Sequence, residues 1–547
     1  MLVVATAMLG ALVLAWALPI VHAQTGDTIL RPDPVQVDWP AAARNAVAQS
    51  PDLGTSLTTS RLSMRQRTGV SRRLESYTVK DDMLPLATLN EVTAASYPAF
   101  AEAVVPVLAP IDPTRLLPGA VPARQTLAQV RRASLARSVA SLQAVSLSSG
   151  YDVIATVSDE MLRELAIGTR YKVQVHIGGS AVSYGSEQGG ELVSDMQDVI
   201  AGLRKIDGAD EITYVFRKYN VPYFATIDCA PAPNDGGIIT CTQADAVMRA
   251  VLRDLRLAGG GPRRTKKRAA ATTCKQPARP SPTFQYHAPG KLLDGTAEQG
   301  SEGAGSQVVL GNCIFFPLKH APAYANSQVF MHRGNCLGQK ELLGGQPGDR
   351  FPRYKCRQND KQLLDFEGHK ENYSYPWRDN TCEVRGSNGP AECPGRKGHE
   401  GQDIRPSKCE PPQSAPASCR NGVFDVVAVT PGVVWWKPPP KDYVVRLHSN
   451  DGTGLYYTFL HMPPASITQA GIANDTLMPV ERGRTIGKVG NFARDNNGNP
   501  SPTTTHLHFE IRRLQADTKA QGPALIPYLT LIRAYERLID EAGTKLP

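Results

Sequence analysis

The feature that most constrains the fold is a strictly alternating run near the C-terminus, THLHFEI. Side chains of a β-strand point to opposite faces in turn, so His506 and His508 share one face of the strand. Leu507, Phe509 and Ile511 share the other face and are suited to a core. Since the histidine Cα atoms would be about 6.5 to 7 Å apart, one imidazole can bind a metal ion while the other reaches over the reaction space beside it.

Several segments before this run also have the pattern of short strands. They read FDVVAVTPGVVWW, YVVRLHS, LYYTFLHM and GRTIGKVG, and turns rich in Gly, Asn, Asp or Pro separate them. This pattern is typical of an all-β antiparallel sandwich or barrel. A helix is predicted at the end of the chain, because apolar residues recur there at helical spacing. These are Tyr528, Leu531, Ile532, Tyr535, Leu538 and Ile539.

The middle of the chain, residues 150–260, is expected to form a small α+β domain of unknown role. Strands are predicted in YDVIATVS, YKVQVHIG, EITYVFRKY and VPYFATIDC. Helices are predicted over residues 190–206 and in QADAVMRAVLRDLRL. Residues 24–149 are rich in Ala, Ser, Pro and Arg, and are expected to be largely extended or disordered with short helices, one of them over residues 125–145.

Length and charge limit the class of protein. A chain of 547 residues is too long for one ordinary core, which predicts two or three domains. The formal net charge of +9 favours anionic surroundings such as a cell wall, lipid headgroups or nucleic acid. The apolar stretch Leu2–Val21 predicts a secretory signal peptide over residues 1–23, with a retained membrane anchor as the alternative. Export makes nucleic acid a poor partner.

Cysteine usage agrees with export. The ten cysteines include no C-x-x-C pair, so structural disulfides in an oxidising compartment are predicted. Cys229 and Cys241 flank a predicted hairpin and could be bridged across it. The other eight lie between Cys274 and Cys419, in a loop-rich region with about 105 possible connectivities. Residues 261–282 are expected to be a basic linker, or a protease-sensitive hinge that adheres to anionic wall polymer.

A metal site needs more than one ligand, and GHEGQD supplies His399 and Asp403. Its glycines argue against a helix, so we expect an irregular, extended turn to carry both side chains into the same pocket as His508. Two imidazoles and one carboxylate with an open fourth position are typical of catalytic zinc. His461 ends the predicted strand LYYTFLHM. Singly, each histidine could be an incidental surface or core residue, but their order H-x-x-x-D, L-H, H-x-H favours one shared site.

The segment from about Cys313 to Arg513 resembles the LytM or lysostaphin-type zinc metallopeptidases, which cut peptide bonds in peptidoglycan. GHEGQD is similar to the family's first motif, AVTPGVV to its A-x-x-x-G-x-V strand pair, and LYYTFLHM to its Y-x-H-L turn. RGRTIGKVGN is similar to its K-G-x-x-I-G-x-V-G-N hairpin, and THLHFEIR to its final P-H-L-H-F-E strand. Thr505 stands where the family commonly has Pro, and the cysteine-rich segment before GHEGQD is unusually long.

The resemblance implies a role for each of five residues. One zinc ion would be bound by His399, Asp403 and His508, while His461 and His506 would be catalytic and flank the bound water and the scissile carbonyl.

Two neighbours have less definite expectations. Glu510 shares the face of the two histidines of THLHFEI and could support a ligand or simply be solvated. His448, in RLHSNDG, is similar to part of the family's D-H-G-N-G turn and is expected to be structural.

The resemblance also implies an architecture. In this multidomain chain, the α+β domain would be followed by an all-β antiparallel LytM-type catalytic domain over residues 283–515, with a disulfide-rich insertion and a C-terminal helical extension over residues 516–547. Peptidoglycan would be the substrate, in the periplasm or cell envelope, and other envelope proteins could bind through residues 150–260.

Two alternatives remain. One is a non-catalytic LytM-like protein that binds peptidoglycan or activates another hydrolase. The other is a wall-binding protein whose residues 24–260 do the essential work. Non-catalytic relatives typically lack a ligand position, and here all five positions are filled, which favours catalysis.

Overall fold

The computed structural model describes residues 29–49, 83–117, 125–184, 190–208, 211–230, 238–262, 284–286, 309–310, 313–325, 336–338, 354–358, 361–362, 377, 379–381, 399–406, 422–436, 444–493, 505–513 and 524–541. The expected signal peptide, nearly all of the basic linker and most of the cysteine-rich region lie outside these residues. No helix within the described ranges is long and apolar enough to cross a bilayer.

The described helices are α1 (Trp39–Gln49), α2 (Leu84–Ala94), α3 (Pro98–Glu102), α4 (Leu127–Ser134), α5 (Asp159–Glu164), α6 (Cys241–Arg253), α7 (Pro464–Gln469) and α8 (Tyr528–Glu541). The strands of the first half are β1 (Ile29–Leu30), β2 (Asp33–Pro34), β3 (Val107–Ala109), β4 (Val139–Leu147), β5 (Gly150–Val157), β6 (Gln174–Ser180), β7 (Val182–Ser183), β8 (Glu191–Leu192), β9 (Arg204–Asp207), β10 (Glu211–Lys218), β11 (Val221–Asp228) and β12 (Arg256–Gly259). Those of the second half are β13 (Val309–Leu310), β14 (Ala323–Ala325), β15 (Cys336–Gly338), β16 (Tyr354–Gln358), β17 (Lys361–Gln362), β18 (Gln402–Pro406), β19 (Asp425–Val427), β20 (Gly432–Trp436), β21 (Val445–Ser449), β22 (Leu455–Leu460), β23 (Met478–Val480), β24 (Thr485–Lys488), β25 (Leu507–Arg513) and β26 (Ala524–Leu525).

The first domain is built on a seven-stranded antiparallel sheet of order β4-β5-β6-β11-β10-β9-β8. Its apolar face buries side chains such as Val153, Ile177 and Tyr223, and α1, α2 and α6 contribute to the same core. α6 begins with a capping box, in which Thr240 and Gln243 each satisfy a backbone N–H of the other residue. The opposite, polar face of this sheet contacts the second domain.

Several predictions for this domain are confirmed. The four strands predicted from alternation are β5, β6, β10 and β11, and the predicted closing helix is α6. Cys229 and Cys241 form the expected disulfide, which ties the end of β11 to the first residue of α6.

Two helix predictions are wrong. The helical periodicity over residues 125–145 is realised only in α4, because the chain from Val139 onward forms β4 and pairs with β5. Residues 190–206 form β8, a 3₁₀ turn and β9, and Val193 donates its N–H to the Leu203 carbonyl. In both segments, pairing with a neighbouring strand outweighs the local spacing of apolar residues.

The first domain also begins earlier than the sequence predicted. The boundary expected at residue 150 falls inside the hairpin formed by β4 and β5. α1, α2 and α3 lie in the region expected to be largely disordered, yet they contribute Ala42, Leu89 and Phe100 to the core of this domain. The reason is that the apolar face of the sheet needs a helical cover, which this weakly periodic region supplies.

The second domain contains an antiparallel sheet of order β14-β18-β25-β22-β21-β20-β23, with β26 paired to β25. On its apolar face the rings of Tyr457 and Phe509 stack with centres 6.0 Å apart. α8 adds Leu531, Ile532 and Tyr535 to the same core. The antiparallel, β-rich fold predicted for this region is therefore confirmed, and the helix expected as an extension after residue 515 is part of the domain core.

The polar faces of the two sheets face each other. Cross-strand partners lie on one face of a sheet, so the register that joins His448 to Tyr456 and Tyr456 to Arg512 places these side chains on the face that carries His508. By the same rule, the first sheet presents Asp152, His176 and Glu211 on its polar face.

Ion pairs connect these faces. Arg446 of the second domain lies 3.1 Å from Glu211 and 3.2 Å from Asp228 of the first. At the edge of the contact, Lys172 of the first domain lies 2.6 Å from Asp475 of the second. The contact between the sheets is therefore largely polar and charged.

Phe509→Ala is expected to lower the free energy of unfolding by about 3 to 5 kcal/mol, because the fully buried ring packs on Tyr457 and Phe459. Denaturant titration followed by tryptophan fluorescence measures this loss. Phe315→Ala is the matched control, since that ring is 41% exposed. Its removal should lower the free energy of unfolding by less than about 1 kcal/mol. Equal losses in the two variants would contradict the placement of Phe509 in the core.

Candidate metal centre

Strand pairing brings the histidines and the aspartate of the sequence motifs together. Asp403 on β18 lies opposite His508 on β25, and Leu460 on β22 lies opposite His508 from the other side. His461 follows Leu460 directly, and His399 lies in the loop that leads into β18. The structure thus places all five predicted site residues in one cluster: His399, Asp403, His461, His506 and His508.

Three of these side chains direct ligand atoms toward one another. Nε2 of His399 lies 2.7 Å from Nδ1 of His508 and 3.2 Å from Oδ1 of Asp403. Nδ1 of His508 is also 3.2 Å from that oxygen. Ligand atoms on a tetrahedral zinc ion are about 3.3 Å apart, given bond lengths near 2.0 to 2.1 Å. Two of the three separations match this value and the third is shorter. The chemical types of the three atoms suit a divalent transition metal, and all three residues are buried.

The local backbone differs from the expected irregular turn. His399 is in a loop, but Asp403 is in regular strand β18, because its neighbours pair with β25. Gly401, in the loop before β18, allows the chain to lie close to β25. A Cβ atom there would lie 2.5 Å from the Phe509 carbonyl oxygen and 2.8 Å from Nε2 of His508. A residue with a side chain in place of this second glycine of GHEGQD would therefore clash with β25.

Hydrogen bonds on the far side of each ligand ring fix its orientation. Nδ1–H of His399 donates to the Asn380 carbonyl at 3.0 Å, which leaves Nε2 facing the centre. Nε2–H of His508 donates to Glu510 at 2.8 Å, which leaves Nδ1 facing the centre. Glu510 in turn accepts a hydrogen bond from Arg512 at 2.6 Å. Partners of this kind orient metal-binding histidines and fix their tautomers. Glu510 therefore orients the ring of His508 and is not a solvated surface carboxylate.

The electrostatics of the cluster favour a cation. Burial alone would raise the pKa of Asp403, but the charges of His399 and His506 outweigh it and hold that pKa well below its usual range. Burial would lower the pKa of His508, but hydrogen bonds to Asp403 and Glu510 outweigh burial and raise that pKa to about 9. A ring that attracts a proton this strongly is suited to hold a metal cation in the proton's place.

Two further histidines flank these ligands. The ring centre of His461 lies 4.6 Å from that of His506 and 6.2 Å from that of His508. Nδ1–H of His461 donates to the Phe492 carbonyl at 2.9 Å, which leaves Nε2 as a hydrogen-bond acceptor. Its backbone has a φ of +70°, in the left-handed region that residues with a side chain rarely adopt. Strained backbone of this kind is common at functional sites.

Arg512 is a member of the site that the sequence analysis missed. Its guanidinium donates to Glu510, to Glu400 and to Glu211 of the first domain, each at 2.6 Å. Burial would lower the pKa of Arg512, but these carboxylates outweigh it and raise that pKa well above its usual range. The period of two along β25 could have indicated Arg512, because it shares a face with Glu510. No comparable pattern in the sequence indicates Asn380.

No protein-family model and no curated protein matches the chain. Among solved structures, it is similar to a protein assigned as the glycyl-glycine endopeptidase LytM from Ruminococcus gnavus, at 22% identity and a TM-score of 0.18. That match covers 25% of this chain and 46% of the other, less than half of that protein's length. It is also similar to the catalytic domain of the prophage-encoded M23 protein EnpA from Enterococcus faecalis, at 20% identity and a TM-score of 0.15, over 23% of this chain and 77% of the other. A likeness this weak does not establish a function.

Gly401→Ala is expected to lower the affinity for Zn²⁺ by at least about tenfold, because the added methyl group must displace the strand that carries His508. Competition with a chromophoric chelator measures the affinity. Gly168→Ala is the control, since its added Cβ would come no closer than 3.7 Å to its nearest neighbour. An unchanged affinity in Gly401→Ala would show that the approach of the loop to β25 is not close.

Glu510→Gln is expected to lower the Zn²⁺ affinity by about 10- to 100-fold, because a neutral amide holds Nε2–H of His508 less strongly than a carboxylate does. Titration calorimetry measures the change. Glu481→Gln is the matched control on an exposed side chain and should leave the affinity as it is. Equal affinities in the two variants would argue against a supporting role for Glu510.

Proposed function

We propose that the chain is a zinc metalloendopeptidase that hydrolyses peptide bonds in peptidoglycan stem peptides or cross-links. The observation that carries the proposal is the buried convergence of His399, Asp403 and His508 at metal-binding distances, with His461 and His506 beside them. Two imidazoles and one carboxylate leave a fourth position for water or substrate, as in catalytic zinc sites.

Peptidoglycan is proposed as the substrate because the ordered motifs of residues 313–513 resemble those of LytM-type peptidases. The net charge of +9 suits an anionic wall polymer. Export to the periplasm or cell envelope is part of the proposal, and the apolar N-terminal stretch and the ten cysteines support it.

A zinc ion, when bound, polarises the scissile carbonyl and lowers the pKa of a water molecule toward neutrality. His461 is suited to accept the proton of that water. Burial lowers the pKa of His461 well below its usual range, and the charges of His506 and His508 lower it further, so the ring is neutral at pH 7. Because Nδ1–H is held by the Phe492 carbonyl, Nε2 is the atom that accepts the proton.

His506 interacts with the peptide group of the substrate, whereas His461 interacts with the water molecule. Its ring lies beside His461 and its Nε2 is 3.3 Å from Asp403. A ring in this position can donate a hydrogen bond to the carbonyl oxygen as negative charge develops there. Burial of the site strengthens such an interaction, because the effective dielectric constant is low.

Zinc content and muropeptide release in single variants test the proposal. His399→Ala and His508→Ala are expected to lose activity together with the zinc ion of this centre, since each removes a ligand. His461→Ala and His506→Ala are expected to keep zinc and to lose activity by at least about 100-fold. His320→Ala is the matched control, because that histidine is exposed and outside the cluster, and it should leave both quantities unchanged.

Two results would contradict the proposal. Full muropeptide release by His508→Ala after loss of the ion of this centre would exclude the mechanism. Zinc binding by the natural chain without cleavage of either glycine bridges or D-alanyl-diaminopimelate cross-links would instead indicate a non-catalytic wall-binding protein.

A further inference from the structure

The contact between the two sheets contains a second group with the chemistry of a metal site. It consists of Asp152 on β5, His176 on β6 and His448 on β21. Two members belong to the first domain and one to the second. Their exposed fractions are 0%, 5% and 2%, respectively. A carboxylate buried this completely is costly unless a cation or several donors compensate for it.

The three side chains meet at short distances. Oδ1 of Asp152 lies 3.4 Å from Nε2 of His176, and Oδ2 lies 2.6 Å from Nδ1 of His448. The two imidazole centres are 4.5 Å apart. One ligand atom of each residue lies within 4.8 Å of those of the other two. The separation of 3.4 Å is close to that of two ligand atoms on one tetrahedral cation, whereas 2.6 Å is that of a close polar contact.

The contacts within the group are close but poorly aligned as hydrogen bonds. Among the described residues, both oxygens of Asp152, Nε2 of His176 and both ring nitrogens of His448 lack a hydrogen-bond partner. Buried polar groups almost always have partners. These atoms of one carboxylate and two imidazoles face one another, so a cation between them would contact all three groups.

Aromatic rings surround the two histidines. The rings of Phe224 and Trp435 lie 5.2 Å and 5.8 Å from that of His176, and Tyr456 stacks on His448 at 5.2 Å. The carboxylate of Asp152 beside them has no exposed surface.

The guanidinium of Arg446, whose charge reaches His176, is already engaged by Glu211 and Asp228. Burial lowers the pKa of His176 to about 4, so this ring is neutral at pH 7, the form in which imidazole binds metals.

We propose that Asp152, His176 and His448 bind a second divalent transition-metal ion of the zinc type, which ties the first domain to the second. Two imidazoles and a carboxylate suit Zn²⁺, and the second carboxylate oxygen or a water can fill the remaining position. Because the ligands come from both sheets, the ion binds only when the domains are docked. By mass action, the bound ion then stabilises the docked arrangement.

Metal analysis of the full chain tests this proposal independently of any peptidase activity. After loading with Zn²⁺ and desalting, the natural chain is expected to hold two zinc ions, and His508→Ala, which removes a ligand of the first centre, is expected to hold one. Adding Asp152→Asn to His508→Ala should remove the remaining ion. Adding Asp475→Asn instead is the matched control, because Asp475 pairs with Lys172 in the same contact but lies outside the group, and one ion should remain.

A melting experiment separates loss of the ion from loss of the fold. Zn²⁺ should raise the Tm of His508→Ala, and the shift should disappear in the double variants with Asp152→Asn or His176→Gln while their circular dichroism stays native. Absence of zinc from natively folded His508→Ala would overturn the proposal. So would an ion that persists in both double variants. Loss of zinc from the natural chain through Asp152→Asn but not through His508→Ala would support this site and count against the proposed peptidase centre.

Discussion

Alternation along β25 is the constraint on which the second domain depends. Leu507, Phe509 and Ile511 enter the core on one face, while His508 and Glu510 enter the polar side. Burial of each apolar side chain is worth roughly 2 kcal/mol, and a shift of one residue would exchange the two faces. The same burial that stabilises the sheet therefore fixes the position of His508. Ordinary strand pairing then aligns Asp403 on β18, because it lies opposite His508.

The polar side of this sheet is as organised as its core. From His508 a continuous series of hydrogen bonds runs through Glu510 and Arg512 to Glu211 of the first domain. Arg512 holds three carboxylates, so removal of this one cation would leave less positive charge beside two buried ones, Glu211 and Glu510. The first domain is thus part of the electrostatic surroundings of the metal centre, although it supplies none of the five clustered site residues.

Features with a short repeat could be predicted from the sequence, and features set by contact between domains could not. The period of two revealed the strands, and the order of the motifs named five residues that the structure places together. Residues 190–206 were misassigned, because their strand partner is decided by tertiary packing. His448 was expected to be a structural turn residue, since nothing in the sequence joins it to Asp152, almost 300 residues earlier. Glu211 was missed for the same reason.

The polar character of the contact between the sheets has a thermodynamic consequence. Heat capacity rises when apolar surface becomes exposed and falls when polar surface does. This contact includes ion pairs such as Arg446 with Glu211, the buried group of Asp152, His176 and His448, and a small apolar cluster around Val215, Phe224 and Tyr456. Parting the sheets therefore changes the heat capacity little, whereas unfolding either core raises it strongly. The equilibrium between docked and parted domains consequently has a much flatter temperature dependence than folding itself.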